Sequence, residues 1–161
     1  MLLFCQVTNC ASSNNKTNEA FLDRVYIVKV PYCLRVSEEV KIYEKLLENS
    51  SLNKAPCAPG TLNMMAQFSV LTRLKEPANS NLFSKMRVYD GENLKDVDPH
   101  AKPIQEYRDQ SGPDEGMNGS STRWAYKVLS KVFNFDHHEV AANPVHLLYV
   151  LEQQVIKDNL P

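Results

Sequence analysis

The run Val25-Tyr-Ile-Val-Lys-Val30 is β-branched and aromatic, stops at Pro31, and reads as a strand. A strand must pair its backbone N–H and C=O groups, and no other segment of the chain offers a second run of comparable quality. This restricts the fold more than any other feature. The expected class is mainly α with a short β element near one edge, and everything after Pro31 is expected to be helix or loop.

The segments beyond Pro31 carry helical signals. Ser37 offers an N-cap to Glu38 and Glu39, and Val40, Tyr43, Leu46 and Leu47 form an apolar face ending near Asn49. Pro59-Gly60 precedes a second stretch whose face is Leu62, Met65, Ala66, Leu71 and Leu74, closed before Pro77. Leu82 to Tyr89 reads as a shorter helix. The stretch 90–118 is rich in charge, Pro and Gly and is expected to be a long surface loop. Ser120 or Ser121 then caps a helix bearing Trp124, Val128, Leu129, Val132 and Phe133. In the last helix Asn143 is the cap, Pro144 opens the first turn, and Val145, Leu148, Leu151 and Val155 share one side. The polar segment Asn9 to Asn18 reads as a loop.

Composition excludes several function classes. A length of 161 residues with 43% hydrophobic and 23% charged side chains fits one ordinary globular domain. A net charge of -1 lacks the basic excess of a phosphate-backbone binder, so nucleic acid is not an expected partner. The longest apolar run is Met1 to Phe4, far short of the ~20 residues that cross a bilayer, and no secretory leader is visible. A cytoplasmic, membrane-free setting is the expectation. The cysteines Cys5, Cys10, Cys33 and Cys57 form no CxxC pair and read as reduced thiols, Cys33 as a buried structural one.

Catalytic signatures are missing. None of the five glycines opens a GxxxxGK[ST] loop, and no HRD or DFG motif is present. Asp114-Glu115 follows Ser-Gly-Pro instead of a hydrophobic strand, so the pair reads as solvated loop charge rather than a Walker B element. His137-His138-Glu139 reads as a polar loop rather than a metal site, and His146 as a hydrogen-bonded or surface imidazole. Two arginines occupy places suited to an anionic ligand. Arg24 directly precedes the strand, and Arg123 lies in the first turn of a capped helix, where backbone N–H groups also face outward. Local sequence alone favours a surface or salt-bridged role for both.

Longer ordered matches extend this reading. Asn18 to Arg24, VYIVKVPYCLR from Val25, Cys57 to Gly60, Phe68 to Arg73, Val88 to Glu92, Asp114 to Gly119 and Val140 to Pro144 together resemble the PrkA family of bacterial serine protein kinases. The resemblance runs from about Asn14 to Gln154. It implies the carboxy-terminal part of an AAA+ ATPase module, with residues 1–35 as a divergent start plus the last strand of the AAA+ core, and 36–161 as a helical lid. It places the P-loop and Walker B upstream and the kinase-like region downstream, outside this chain.

The resemblance further implies that Arg123 is sensor-2-like, closing over the nucleotide of its own subunit, and that Arg24 is a candidate arginine finger toward the next. ATP and Mg are the parent family's cofactors, with none expected for the isolated chain. The implied partners are AAA+ subunits in a ring and a protein substrate. Met1 to Ser13 departs from the family's sensor-1 strand, and the stop at Pro161 is abrupt, as expected of a fragment. The other reading is a stand-alone helical interaction protein docking on the parent ATPase or another partner.

Overall fold

The computed structural model describes residues 28–135 and 141–159, which form six α-helices. These are α1 (Val36–Glu48), α2 (Thr61–Arg73), α3 (Leu82–Tyr89), α4 (Ile104–Ser111), α5 (Thr122–Phe133) and α6 (Pro144–Asp158), with a 3₁₀ turn at Ser51–Lys54. The mainly helical class expected from sequence is the one observed. The first half of the expected strand, and Arg24 before it, lie outside the described residues. Val28 to Val30 belong to no strand among the described residues, whose β element is an isolated parallel bridge between Cys57 and Ala142. Ala58 N–H donates to Ala142 O at 2.8 Å and Ala142 N–H to Pro56 O at 3.0 Å, tying the entry of α2 to the entry of α6.

The core forms around α2. Gly60 adopts φ +84°, a left-handed turn open to glycine, and launches a helix whose Met65, Ala66, Ser69 and Val70 are buried. It packs against α1, α3, α5 and α6. Tyr43 of α1 is fully buried against it, its hydroxyl donating to Ser69 Oγ at 2.9 Å, so the polar end of the ring is satisfied inside the core. Val128, Leu129 and Val132 of α5 and Leu147, Val150 and Leu151 of α6 complete the cluster.

Several expectations need correction. Ser37 does not cap α1 from the N-cap position, which Arg35 occupies. Instead Asp90 at the end of α3 accepts from both Ser37 N–H at 2.9 Å and Ser37 Oγ at 2.7 Å, so a tertiary carboxylate supplies the cap. Leu46 is exposed, and the buried stripe of α1 is Val36, Glu39, Tyr43 and Leu47. On α6, Val145 is 73% and Leu148 58% exposed, while Leu147, Val150, Leu151 and Gln154 face inward. That helix is apolar on most sides near its start, so its period alone admits two stripes sharing Leu151.

The stretch 90–118 is not a bare surface loop. It contains α4, and Leu94, Tyr107, Ser111 and Glu115 within it are buried. Tyr107 anchors it, its hydroxyl 2.6 Å from Ser80 Oγ and accepting Lys102 N–H at 3.1 Å. Pro and Gly broke the helical pattern in sequence, but a few large side chains are enough to fasten such a segment to the body.

Candidate functional site

Arg123 is exposed in the first turn of α5. Ser121 caps that helix, its Oγ accepting from Trp124 N–H at 3.1 Å, which leaves the preceding turn free to be held by other groups. Among the described residues no hydrogen bond or ion pair engages the Arg123 guanidinium.

The turn before it is fastened to the end of α2. Ser120 N–H donates to Thr72 Oγ1 at 3.1 Å, the two hydroxyls lie 3.0 Å apart, and Arg73 Nε donates to Ser120 O at 2.8 Å. Gly119, with φ +98°, lies so close that a Cβ there would fall 2.4 Å from Thr72 O.

Arg73 is the centre of this arrangement. Its side chain and that of Glu39 are both fully buried, with Nη2 2.8 Å from Glu39 Oε1. Nη1 donates to Cys33 O at 2.8 Å, and the guanidinium lies 5.1 Å from the Tyr32 ring centroid. Thr122 Oγ1 reaches the same Glu39 oxygen at 3.4 Å, whereas Glu39 Oε2 is buried without a hydrogen-bond partner among the described residues. Burial is the largest cause that pushes the Tyr43 hydroxyl above its ordinary pKa, with the Ser69 hydrogen bond opposing it and the charge of Glu39 adding to it.

A second buried ion pair fixes the other side of the same loop. The Lys85 ammonium on α3 meets Glu115, Ser111 Oγ at 2.6 Å and Lys75 O at 2.9 Å. Glu115 also accepts from Tyr89 OH at 2.5 Å and from Lys75 N–H at 3.3 Å. Burial pushes the Glu115 carboxyl up, but the hydrogen bonds from Lys85 and Tyr89 and the Lys85 charge outweigh it, so its pKa sits below the ordinary carboxylate value. Burial and the bond to Glu115 raise that of Tyr89.

The reading of Asp114-Glu115 as solvated charge therefore holds for Asp114, which is exposed and paired with Lys29 at 2.8 Å, and fails for Glu115. Neither buried pair was singled out from sequence. Glu39 follows Val36 by three residues and precedes Tyr43 by four, and Lys85 precedes Tyr89 by four, so helical period alone put both charges on buried stripes.

Other sequence candidates are elsewhere. Arg24 and His137-His138-Glu139 lie outside the described residues. Cys33 is partly buried, its thiol 3.5 Å from Arg35 O, and Cys57 is exposed. His146 accompanies the Asn143 cap, where its backbone N–H donates to Asn143 Oδ1 at 2.9 Å, and its ring packs 4.6 Å from that of Phe135. No described helix is long and apolar enough to cross a membrane.

Two family models match the chain consecutively: the PrkA AAA domain over residues 9–81 and the PrkA serine protein kinase C-terminal domain over residues 83–160. The chain belongs to the PrkA family. It is 73% identical over 148 residues to the serine/threonine kinase YeaG of Escherichia coli K12, a match covering 92% of this chain and 23% of that protein. It is 44% identical over 119 residues to the ATP-dependent protease PrkA of Bacillus subtilis, covering 73% of this chain and 18% of that one. The chain thus spans less than a quarter of the length of these PrkA relatives and represents a fragment of such a protein. No solved structure matches it significantly.

The two models meet at residue 82, the start of α3, so α3 to α6 fall under the C-terminal domain model rather than the AAA model. Packing ignores that border. Arg73 and Lys75, on one side, bond to Ser120, Ser111 and Glu115 on the other.

Proposed function

We propose that this segment of a PrkA-family protein is a nucleotide-sensing lid, with Arg123 as the sensor-2-like contact to ATP in its own subunit and Arg24 as the candidate arginine finger toward the next. The observation that carries the reading is the exposed Arg123, unengaged among the described residues, at a helix N-terminus whose preceding turn is clamped to α2. A guanidinium held in this way fits an anionic phosphate, which would also meet the outward N–H groups of the first turn.

The segment has no P-loop nest or lysine of its own, so catalysis and tight ATP binding belong to the full-length cytoplasmic protein, assembled as a ring with Mg and acting on a protein substrate. In a full-length PrkA-family kinase carrying these residues, Arg123→Ala is expected to weaken ATP binding about tenfold, the worth of one charged hydrogen bond, even in separated subunits. Arg24→Ala is expected to matter only after assembly, and mixing it with a P-loop-dead subunit should restore part of the turnover. Unchanged ATP affinity in Arg123→Ala would end this reading.

A second reading, a helical interaction protein docking on the parent ATPase, draws on the apolar side chains Val145, Leu148, Tyr149 and Ile156 exposed on α6. Copurification of the separately expressed chain with the full-length protein would favour it.

A further inference from the structure

We propose that Arg73 is a positioning residue for Arg123. The proposal rests on the nucleotide-sensing reading of Arg123 and adds to it the device that aims that residue. The guanidinium of Arg73 spends each face of its donor fork on a different segment: Nε on Ser120 O, Nη1 on Cys33 O and Nη2 on Glu39 Oε1, each at 2.8 Å. One buried side chain thereby joins the start of α1, the end of α2, the segment entering α1 and the turn that launches α5.

That turn is held at further points by the same stretch of α2. Thr72 Oγ1 accepts from Ser120 N–H, and Gly119 rests directly on the Thr72–Arg73 peptide. Thr122, the residue before Arg123, reaches Glu39, the acidic partner of Arg73. Gly119, Ser120 and Thr122, ahead of Arg123, are thus tied to Thr72, Arg73 or Glu39, while Arg123 itself is untied among the described residues. An exposed arginine with no required direction needs no such base. A cation that must meet a phosphate does, because a shift of about 1 Å in a contacting group costs up to about a hundredfold in rate.

Arg73→Lys separates charge from geometry. An ammonium can keep the pair with Glu39, but its donors share a single nitrogen and cannot also reach Ser120 O and Cys33 O on opposite sides. The fold is expected to survive while the base of the turn loosens. Thr72→Val, which keeps shape and drops the acceptor for Ser120 N–H, provides a second probe if Arg73→Lys fails to fold.

The test has two arms. In the 161-residue chain, amide hydrogen exchange at residues 120–124 is expected to rise about tenfold or more in Arg73→Lys, with amides in the middle of α6 unchanged. In a full-length PrkA-family kinase carrying these residues, ATP titration is expected to weaken about threefold or more in Arg73→Lys and about tenfold in Arg123→Ala, with the double variant within about twofold of Arg123→Ala alone.

Additive losses in the double variant, or wild-type ATP affinity in Arg73→Lys beside a weakened Arg123→Ala, would overturn the positioning role and leave the sensing reading intact. Unchanged exchange at residues 120–124 would overturn it as well. Wild-type affinity in Arg123→Ala would overturn the sensing reading itself, and with it any role of Arg73 toward nucleotide.

Discussion

Glu115→Ala is expected to destabilise the protein by roughly 3–5 kcal/mol, because it leaves the Lys85 ammonium buried with no opposing charge. The side chains of Lys85 and Glu115 are 1% and 6% exposed, so water cannot take over the lost contact. The substitution also strands the Tyr89 hydroxyl and the Lys75 N–H, both of which donate to this carboxylate. Urea unfolding followed through Trp124, the chain's single tryptophan, would read the change. Replacing both partners, Lys85→Met with Glu115→Leu, should recover the part of the loss that comes from the unpaired ammonium, but not the part from the stranded Tyr89 hydroxyl and Lys75 N–H.

Acid should reproduce the effect in the unmodified protein. The folded-state pKa of Glu115 is depressed, so its contribution is fully present above the unfolded value of about 4.3 and disappears as pH falls through the lower folded value. Glu115→Gln should flatten that limb of the stability profile. An identical acid limb in wild type and Glu115→Gln would assign the loss to other carboxylates.

The second large effect is expected at Gly119. An alanine Cβ there would lie 2.4 Å from Thr72 O, 2.7 Å from Thr72 C and 2.9 Å from Arg73 N, and backbone cannot swing away as a flexible side chain could. Gly91 provides the comparison, with φ +99° against +98° and nothing within 4 Å of its own added Cβ. Gly91→Ala should therefore cost only the backbone penalty, roughly 1–2 kcal/mol.

Gly119→Ala should cost that and the separation of the turn from α2, roughly 3 kcal/mol or more in total. For a chain of this size the second corresponds to a fall in thermal midpoint of about 6–12 °C. Equal midpoints in the two variants would mean that the close approach at Thr72 relaxes without cost. Because Gly119 supports the turn ahead of Arg123, its replacement should also weaken whatever Arg123 contacts.

The helices were legible to very different degrees. For α5 a serine cap at Ser120 or Ser121, resolved by the structure to Ser121, and the buried Val128, Leu129 and Val132 follow from sequence, because polar and apolar residues alternate cleanly at helical period. The cap of α6 at Asn143-Pro144 was equally plain, but its buried side was not, since leucine and valine occupy both candidate stripes. α4 was hidden inside 90–118, where Pro103 and Gly112 flank a helix of eight residues with a mean composition like a loop's. Of the candidate site, Arg123 was visible from the capped helix and the PrkA resemblance. Arg73, Glu39, Lys85 and Glu115 were not, because a charge in an amphipathic pattern reads as a solvated face until its partner from another element is in place.

The sequence by itself determined the class and the lineage: helical periods and caps are local properties, and ordered family motifs survive in a fragment. Only the tertiary structure decided which charges are buried and what launches α5. Residues 39, 73 and 120, and likewise 85 and 115, are far apart along the chain, and no local rule relates them. Their burial is tolerable because each charge meets an opposite charge from another element, and desolvation makes that pairing costly to lose.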